Sequence, residues 1–221
     1  MPRYRLAIFD FDGTLADSLP WFRSSFPDMI ARFDLAPVSA DELEGLRMMS
    51  GRQIMARLNV PMWRLPAIVS DMRKRKLAAA GEISLFDGVE GMLAELQLLG
   101  IKVAIVSSDS EESVRRVLGP ITAGLISRFD CSAAVFGKHR KFRRVARHFG
   151  TSPADTICIG DEIRDIEAAR AAGMASGAVA WGYAFSAALH AAGPTHFFNS
   201  IAEITQRLAL PAATAQGNHG P

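Results

Sequence analysis

The chemistry-bearing residues of this chain stand where apolar runs stop. Leu6-Ala7-Ile8-Phe9 leads straight into Asp10-Phe11-Asp12-Gly13-Thr14. The run 101–106 ends at Ser107-Ser108-Asp109, and the run 156–159 ends at Gly160-Asp161, with Asp165 about one helical turn further on. Lys138 follows the stretch 129–136. Several carboxylates gathered at one place repel, and each resists ionising. A bound divalent cation removes that problem. Oxygen donors with no Cys or His among them select Mg²⁺ over zinc. A lysine and a hydroxyl beside such an ion suit a tetrahedral oxyanion such as phosphate.

These residues converge only if the elements carrying them share one edge of a sheet. From residue 82 onward helix and strand alternate. Helices are predicted at 89–99, 110–118, 139–149, 162–172 and 201–210, and strands at 101–106, within 129–136, at 156–159 and 175–181, with a short one at 195–198. The strand candidates are continuous apolar runs, which marks a parallel sheet covered on both faces. Residues 17–81 read as helical with no strand. Trp21, Phe22, Ser25, Phe26, Met29, Ile30 and Phe33 recur at three and four, giving one apolar stripe. The expected fold class is α/β: a doubly wound, Rossmann-like parallel sheet with a small α-helical cap inserted after the first strand. The core takes 1–15 and 82–210, the cap 16–81, and 211–221 is an Ala-, Gly- and polar-rich tail expected to be disordered. In such sheets ligands bind outside the carboxyl ends of the strands, where the acids stand.

Asp10-Phe11-Asp12-Gly13-Thr14-Leu15, Ser107 after an apolar strand, a lone lysine, and Gly160-Asp161-Glu162-Ile163-Arg164-Asp165 resemble, in order, the four motifs of the haloacid dehalogenase-like hydrolase superfamily. The resemblance runs from Leu6 to about Leu208. It implies that Asp10 is the nucleophile that becomes an aspartyl phosphate. Asp12 is then the general acid and base, its backbone carbonyl also reaching the metal. Ser107, with Ser108 beside it, holds a phosphoryl oxygen, and Lys138 neutralises phosphate charge. Asp161 is a direct Mg²⁺ ligand, and Asp165 holds the metal through water or supports Lys138. An aspartate at position 12 argues for phosphatase chemistry, because an ester oxygen needs a protonated leaving group and an alkyl halide does not. The lysine segment, Gly137-Lys138-His139-Arg140-Lys141, departs from the family's Lys-Pro form, so Lys141 competes with Lys138. The helical insert is implied to carry leaving-group specificity, with Gly51-Arg52 reaching into the site and Arg52 holding a carboxylate or second phosphate. The implied activity is that of a Mg²⁺-dependent, phosphoglycolate phosphatase-like phosphatase acting on a small phosphorylated metabolite. The same core also serves phosphomutases of the β-phosphoglucomutase type. A phospho-receiver domain, the non-enzymatic alternative, is smaller and lacks the insert.

The 221-residue chain is 49% apolar and 22% charged, with a formal net charge of +2, so a nucleic-acid partner is not expected. Cys131 and Cys158 cannot make a disulfide framework, which fits a cytoplasmic setting, and Cys158 reads as strand packing. The N-terminus is not expected to act as a signal peptide. Residues 171–202 carry no formal charge, but Gly173, Gly177, Gly182, Gly193 and Pro194 punctuate them as buried strand, loop and helix rather than a membrane span. A monomer or homodimer is expected. No G-x-G-x-x-G follows the first strand, which disfavours a dinucleotide oxidoreductase. Blander readings also apply. Arg73-Lys74-Arg75-Lys76 is a solvated helix end, and Lys138 to Arg147 an exposed basic face. The Trp21/Phe22/Phe26 stripe is core of the insert, Ser107 caps the following helix, and Asp165 serves a helix dipole.

Overall fold

A computed structural model describes residues 2–49, 51–131 and 137–211. In chain order, β1 (Leu6–Phe9) and the short β2 (Ala16–Asp17) precede four helices: α1 (Leu19–Arg32), α2 (Ala40–Gly45), α3 (Gly51–Arg57) and α4 (Leu65–Ala78). The chain then returns through β3 (Ser84–Leu85), α5 (Val89–Leu98), β4 (Lys102–Ser107), α6 (Glu111–Gly124) and β5 (Arg128–Cys131). It finishes with α7 (Lys138–His148), β6 (Thr156–Gly160), α8 (Ile163–Ala172), β7 (Ala175–Val179), α9 (Ser186–Ala191), β8 (His196–Phe198) and α10 (Ile201–Ala209).

Six strands form one sheet in the order β5-β4-β1-β6-β7-β8, and every pairing is parallel. β1 lies at the centre because all four of its residues are apolar and buried. Successive side chains leave opposite faces of a strand. Leu6 and Ile8 therefore join Phe142, Val145 and Ala169 of α7 and α8 on one face. Ala7 and Phe9 join Leu93 and Leu96 of α5 and Ile204 and Leu208 of α10 on the other. Phe9 is level with Ile105 of β4 and with Ile159 of β6, so the residues after these three points emerge together at one edge. From β1 the chain crosses to β4 and β5 on one side, and β6, β7 and β8 build out on the other. The crevice of a doubly wound sheet forms at such a switch.

The insert has an apolar centre of its own, with Phe26, Met29, Leu35, Leu46, Leu58 and Ile68 buried together. The sequence expectation of no strand within residues 17–81 is corrected at its margin. Ala16–Asp17 pairs antiparallel with Ser84–Leu85, where the chain enters and leaves the insert. Two-residue strands carry too little hydrophobic pattern to announce themselves. The helix predicted to end at Leu118 breaks at Gly119, whose φ of 70° no helix accepts, and resumes from Pro120 to Gly124. The strand expected within 129–136 is seen as Arg128–Cys131, and 132–136 lie outside the described residues. So does the expected tail, save Pro211, which bridges to Pro2. Residues 171–202 hold the end of α8, then β7, α9 and β8, and no described helix is long and apolar enough to cross a membrane.

Candidate active site

Asp10 is the first residue beyond β1. Its backbone N–H donates to the Ile159 carbonyl at 2.8 Å, which extends the ladder toward β6 and pins the carboxylate at the sheet edge. Asp10 Oδ1 accepts the Phe11 N–H at 2.8 Å, and Oδ2 lies 2.6 Å from Lys138 Nζ. The same Nζ lies 2.6 Å from Asp165 Oδ1. Burial alone pushes the Asp10 carboxyl up, but the Lys138 and Arg164 charges and these hydrogen bonds outweigh it and hold the group below the usual carboxylate range. Burial likewise works against the Lys138 ammonium, and Asp10 and Asp165 overcome it, so its pKa is raised.

Asp161 follows β6 and is wholly buried. Its Oδ1 accepts the Thr14 hydroxyl at 2.9 Å and its Oδ2 accepts the Tyr183 N–H at 2.8 Å. Burial, then the negative charges of Glu162, Asp165 and Asp10, push its carboxyl well up. Asp165 stands in the first turn of α8, where its Oδ2 accepts the Glu162 N–H at 3.1 Å. One oxygen each of Asp10, Asp161 and Asp165 can be chosen within 4.8 Å of one another. Three glycines make this approach possible, Gly182 among them, since a Cβ there would meet the Asp161 side chain. A Cβ on Gly13, which sits at φ +71°, or on Gly160 would run into the Asp161 or Asp165 carboxylate respectively.

The Asp12 carboxylate stands apart from that triplet. Its Oδ1 accepts the Ser18 hydroxyl at 2.6 Å and pairs with Lys76 Nζ from the end of α4. Lys76 also reaches Asp109 Oδ2 at 2.6 Å and is only 5% exposed. Burial disfavours its charge, but Asp12 and Asp109 more than compensate and raise its pKa. The Asp109 N–H donates to Ser107 Oγ at 3.0 Å, which leaves the buried Ser107 hydroxyl its own proton to donate. Lys141 Nζ donates to the Ser107 carbonyl at 3.0 Å. The two competing lysines therefore separate by geometry: Lys138 holds the carboxylates, and Lys141 anchors the end of β4.

A cavity of about 380 Å³ lies between the insert and the strand ends, with Asp12, Lys76, Ser108, Asp109, Glu162 and Arg164 among its lining residues. The insert is tied down beside it. Arg47 Nε and Nη2 donate to the Tyr183 and Gly182 carbonyls at 2.7 and 3.2 Å, and its guanidinium lies 4.2 Å from the Phe185 ring centroid.

A family model described as haloacid dehalogenase-like hydrolase matches residues 7–179, which hold all of these strand-end acids. The chain belongs to that family. It is 31% identical over 202 residues to a phosphoglycolate phosphatase of Synechococcus elongatus, covering 90% of this chain and 94% of that one. A phosphoglycolate phosphatase of Xylella fastidiosa is 34% identical over 193 residues, covering 81% of each. Among solved structures, a haloacid dehalogenase-like family hydrolase from Streptococcus pneumoniae matches with a TM-score of 0.76 at 19% identity, covering 92% of this chain and 98% of that one. CbbY from Rhodobacter sphaeroides, in complex with phosphate, matches at 0.70 and 21%, covering 94% and 100%. At such identities the structural likeness shows the fold.

Of the residues the sequence singled out in this hydrolase, Asp10, Lys138, Asp161 and Asp165 meet directly. Asp12 and Ser107 stand beside them, and Ser108 lines the cavity. Arg52 is exposed at the start of α3, and the cavity wall takes Gly51 rather than Arg52 from that turn. Several blander readings are corrected. The Arg73–Lys76 segment is not simply a solvated end, because Lys76 is buried between two carboxylates. The α7 face is not wholly exposed, because Lys138 and Lys141 turn inward, although Arg140, Arg143 and Arg147 do face out. Ser110, not Ser107, caps α6, its hydroxyl accepting the Ser113 N–H at 3.1 Å. Trp21, Phe22 and Phe26 line the cavity as well as packing the interior. Asp165 both caps α8 and pairs with Lys138. Lys76, Asp109, Thr14, Ser18 and Tyr183 went unassigned in the sequence. Nothing in an Arg-Lys-Arg-Lys run marks which cation turns inward.

Proposed function

We propose that this hydrolase is a phosphatase that hydrolyses a small phosphorylated metabolite through an aspartyl phosphate on Asp10, with Mg²⁺ as its cofactor. The observation that carries this reading is the pairing of an Asp10 carboxylate held ionised by Lys138 with two further buried carboxylates, Asp161 and Asp165, in reach of the same point. The relatives named as phosphoglycolate phosphatases support the reaction class. The residues fit a divalent cation: three acidic groups converge, all donors are oxygen, and burial together with the charges of Glu162, Asp165 and Asp10 pushes the Asp161 carboxyl up, which a cation beside it would offset. Asp10, Asp161 and Asp165 would hold it, joined in the family pattern by the Asp12 carbonyl. When bound, Mg²⁺ supplies positive charge against the phosphoryl oxygens.

The chain's own groups do the rest. An Asp10 carboxylate oxygen attacks phosphorus as the ester P–O bond breaks. Asp12 gives its proton to the departing alkoxide. Ser18 and Lys76 both engage Asp12 Oδ1, which leaves Oδ2 for the proton transfer. The Ser107 hydroxyl donates to one phosphoryl oxygen, and Lys138 balances the charge of the group in transfer. Asp12, now a carboxylate, takes a proton from the water that attacks the aspartyl phosphate. Inorganic phosphate leaves and Asp10 is restored. The insert closes the site above and excludes bulk water, which strengthens every charge interaction below it.

The test is phosphate release from a panel of phosphorylated metabolites, with Mg²⁺ and with a chelator, for the natural chain and for Asp10→Asn. Metal-dependent release that vanishes in the variant is expected. Release that survives Asp10→Asn would overturn the covalent route, a requirement for a bisphosphate would indicate a mutase, and an Asp10 phosphate lasting minutes without turnover would indicate a receiver.

A further inference from the structure

The cavity above the strand ends does not finish where the polar groups finish. It continues between α1 and α4, where Phe22, Phe26, Met29, Ile68, Val69 and Met72 form its walls. At about 30 Å³ for each water-sized group, the 380 Å³ cavity, its polar end included, has room for on the order of a dozen, so a two-carbon acid phosphate seated at the strand ends leaves the α1–α4 end unfilled. A compact polar alcohol would leave water against apolar walls, whereas an apolar body displaces it.

The cations around this chamber are mostly committed. Lys76 pairs with Asp12 and Asp109, Arg47 with Glu44 and two carbonyls, Arg23 with Glu44, and Arg164 with Glu162. Arg73 differs. It lines the chamber one turn ahead of Lys76 on α4, and its guanidinium makes no ion pair among the described residues. A guanidinium at a cavity wall with no anionic partner suits a carboxylate or other acceptor on a ligand.

Resting on the phosphatase reading, we infer that the preferred substrate is a phosphomonoester whose leaving group carries an aromatic or branched aliphatic body in the α1–α4 chamber and, close to the ester oxygen, a carboxylate or other acceptor for Arg73. The phosphate end meets Asp10 and Ser107. The acceptor stands one helical turn from Lys76, and the body extends toward Ile68 and Val69, further back along the same helix.

Three α-phosphoryloxy acids with the same reacting ester test this: phosphoglycolate, phospholactate and O-phospho-3-phenyllactate. With Mg²⁺, kcat/KM is expected to rise at least tenfold from the first to the last. Val69→Trp, which fills the chamber, should erase most of that rise. Arg73→Met should lower kcat/KM for O-phospho-3-phenyllactate at least tenfold more than for 2-phenylethyl phosphate, which lacks the carboxylate. A natural chain that favours phosphoglycolate over O-phospho-3-phenyllactate would overturn the inference and leave the phosphatase reading standing, and this arm needs no variant to fold. A preference for the phenyl substrate that Val69→Trp leaves intact, in a variant with an unchanged circular dichroism spectrum, would overturn it as well. No phosphate release from any monoester would instead sink the reading beneath it.

Discussion

Lys138 and Lys76 share one device, a single ammonium between two carboxylates, and use it at different depths of the site. Lys138 bridges Asp10 and Asp165 within the sheet edge, while Lys76 joins Asp12 to Asp109 from the insert. Removing one member of a buried pair leaves the other charge without compensation, at a cost of about 3 kcal/mol or more. Lys76→Met is therefore expected to destabilise the protein by about 3 kcal/mol in denaturant unfolding, because Asp109 is 3% exposed and loses its only cationic partner among the described residues. Adding Asp109→Asn should recover part of the loss; no recovery would show that the pair is not the source. Asp10→Asn acts on chemistry instead. It should lower the rate of phosphate release on the order of 10³-fold or more while the circular dichroism spectrum stays unchanged.

Short connecting elements set the distances between these residues. The turn after β1 brings backbone against the Asp161 carboxylate, and only glycine at position 13 permits both its φ and that closeness. Gly13→Ala is expected to weaken Mg²⁺ binding at least tenfold in titration calorimetry, and Gly160→Ala should do the same through Asp165; unchanged affinity in both would remove the metal assignment from this edge. In the insert, α2 opens with a reciprocal cap. The Glu42 N–H donates to Ser39 Oγ at 3.2 Å, the Ser39 N–H donates to Glu42 Oε2 at 2.9 Å, and Arg57 Nη2 donates to Oε1 at 2.6 Å. The Ser39 N–H and Arg57 bring the Glu42 carboxyl down to about 2 from an ordinary 4.5. A lowered folded-state value stabilises the fold above the ordinary value, and that contribution fades as pH falls from about 4.5 toward 2. Thermal stability should drop across that window, and Glu42→Gln should flatten the drop.

For the molecule as a whole, three carboxylates at one edge are a standing repulsion that folding must carry. A cation that binds only the folded form stabilises it by mass action, by about 2.7 kcal/mol at a hundred times its dissociation constant. For a chain of this size that corresponds to a rise in Tm of about 5 °C or more. Mg²⁺ is expected to produce such a rise in a thermal melt, and a chelator to reverse it. In Asp161→Asn the rise should disappear, and a full rise in that variant would place the ion elsewhere. The insert matters at this scale too. Arg47 and Lys76 each cross from it to groups of the sheet's edge, so the insert supplies part of the site's charge and anchors beside it.

The sheet and its acids were legible from the chain alone. Strands buried on both faces must be continuous apolar runs, and the parallel topology then puts every residue that follows such a run at the same edge, so Asp10, Ser107 and Asp161 could be placed together by pattern and order. The family follows from the same short motifs, and the resemblance implies Asp165 with them, while leaving Lys138 and Lys141 in competition. Tertiary structure alone decided which of two neighbouring lysines faces the carboxylates, that Lys76 is drawn inward from a run of four cations, that Arg52 stays outside while Arg73 lines the chamber, and that Ala16–Asp17 pairs with Ser84–Leu85. The reason is physical. A hydrophobic period is carried by many residues and survives local reading, whereas the direction of one long charged side chain depends on a partner distant in sequence, as Asp109 is from Lys76, and on the angle at which a helical insert meets the sheet.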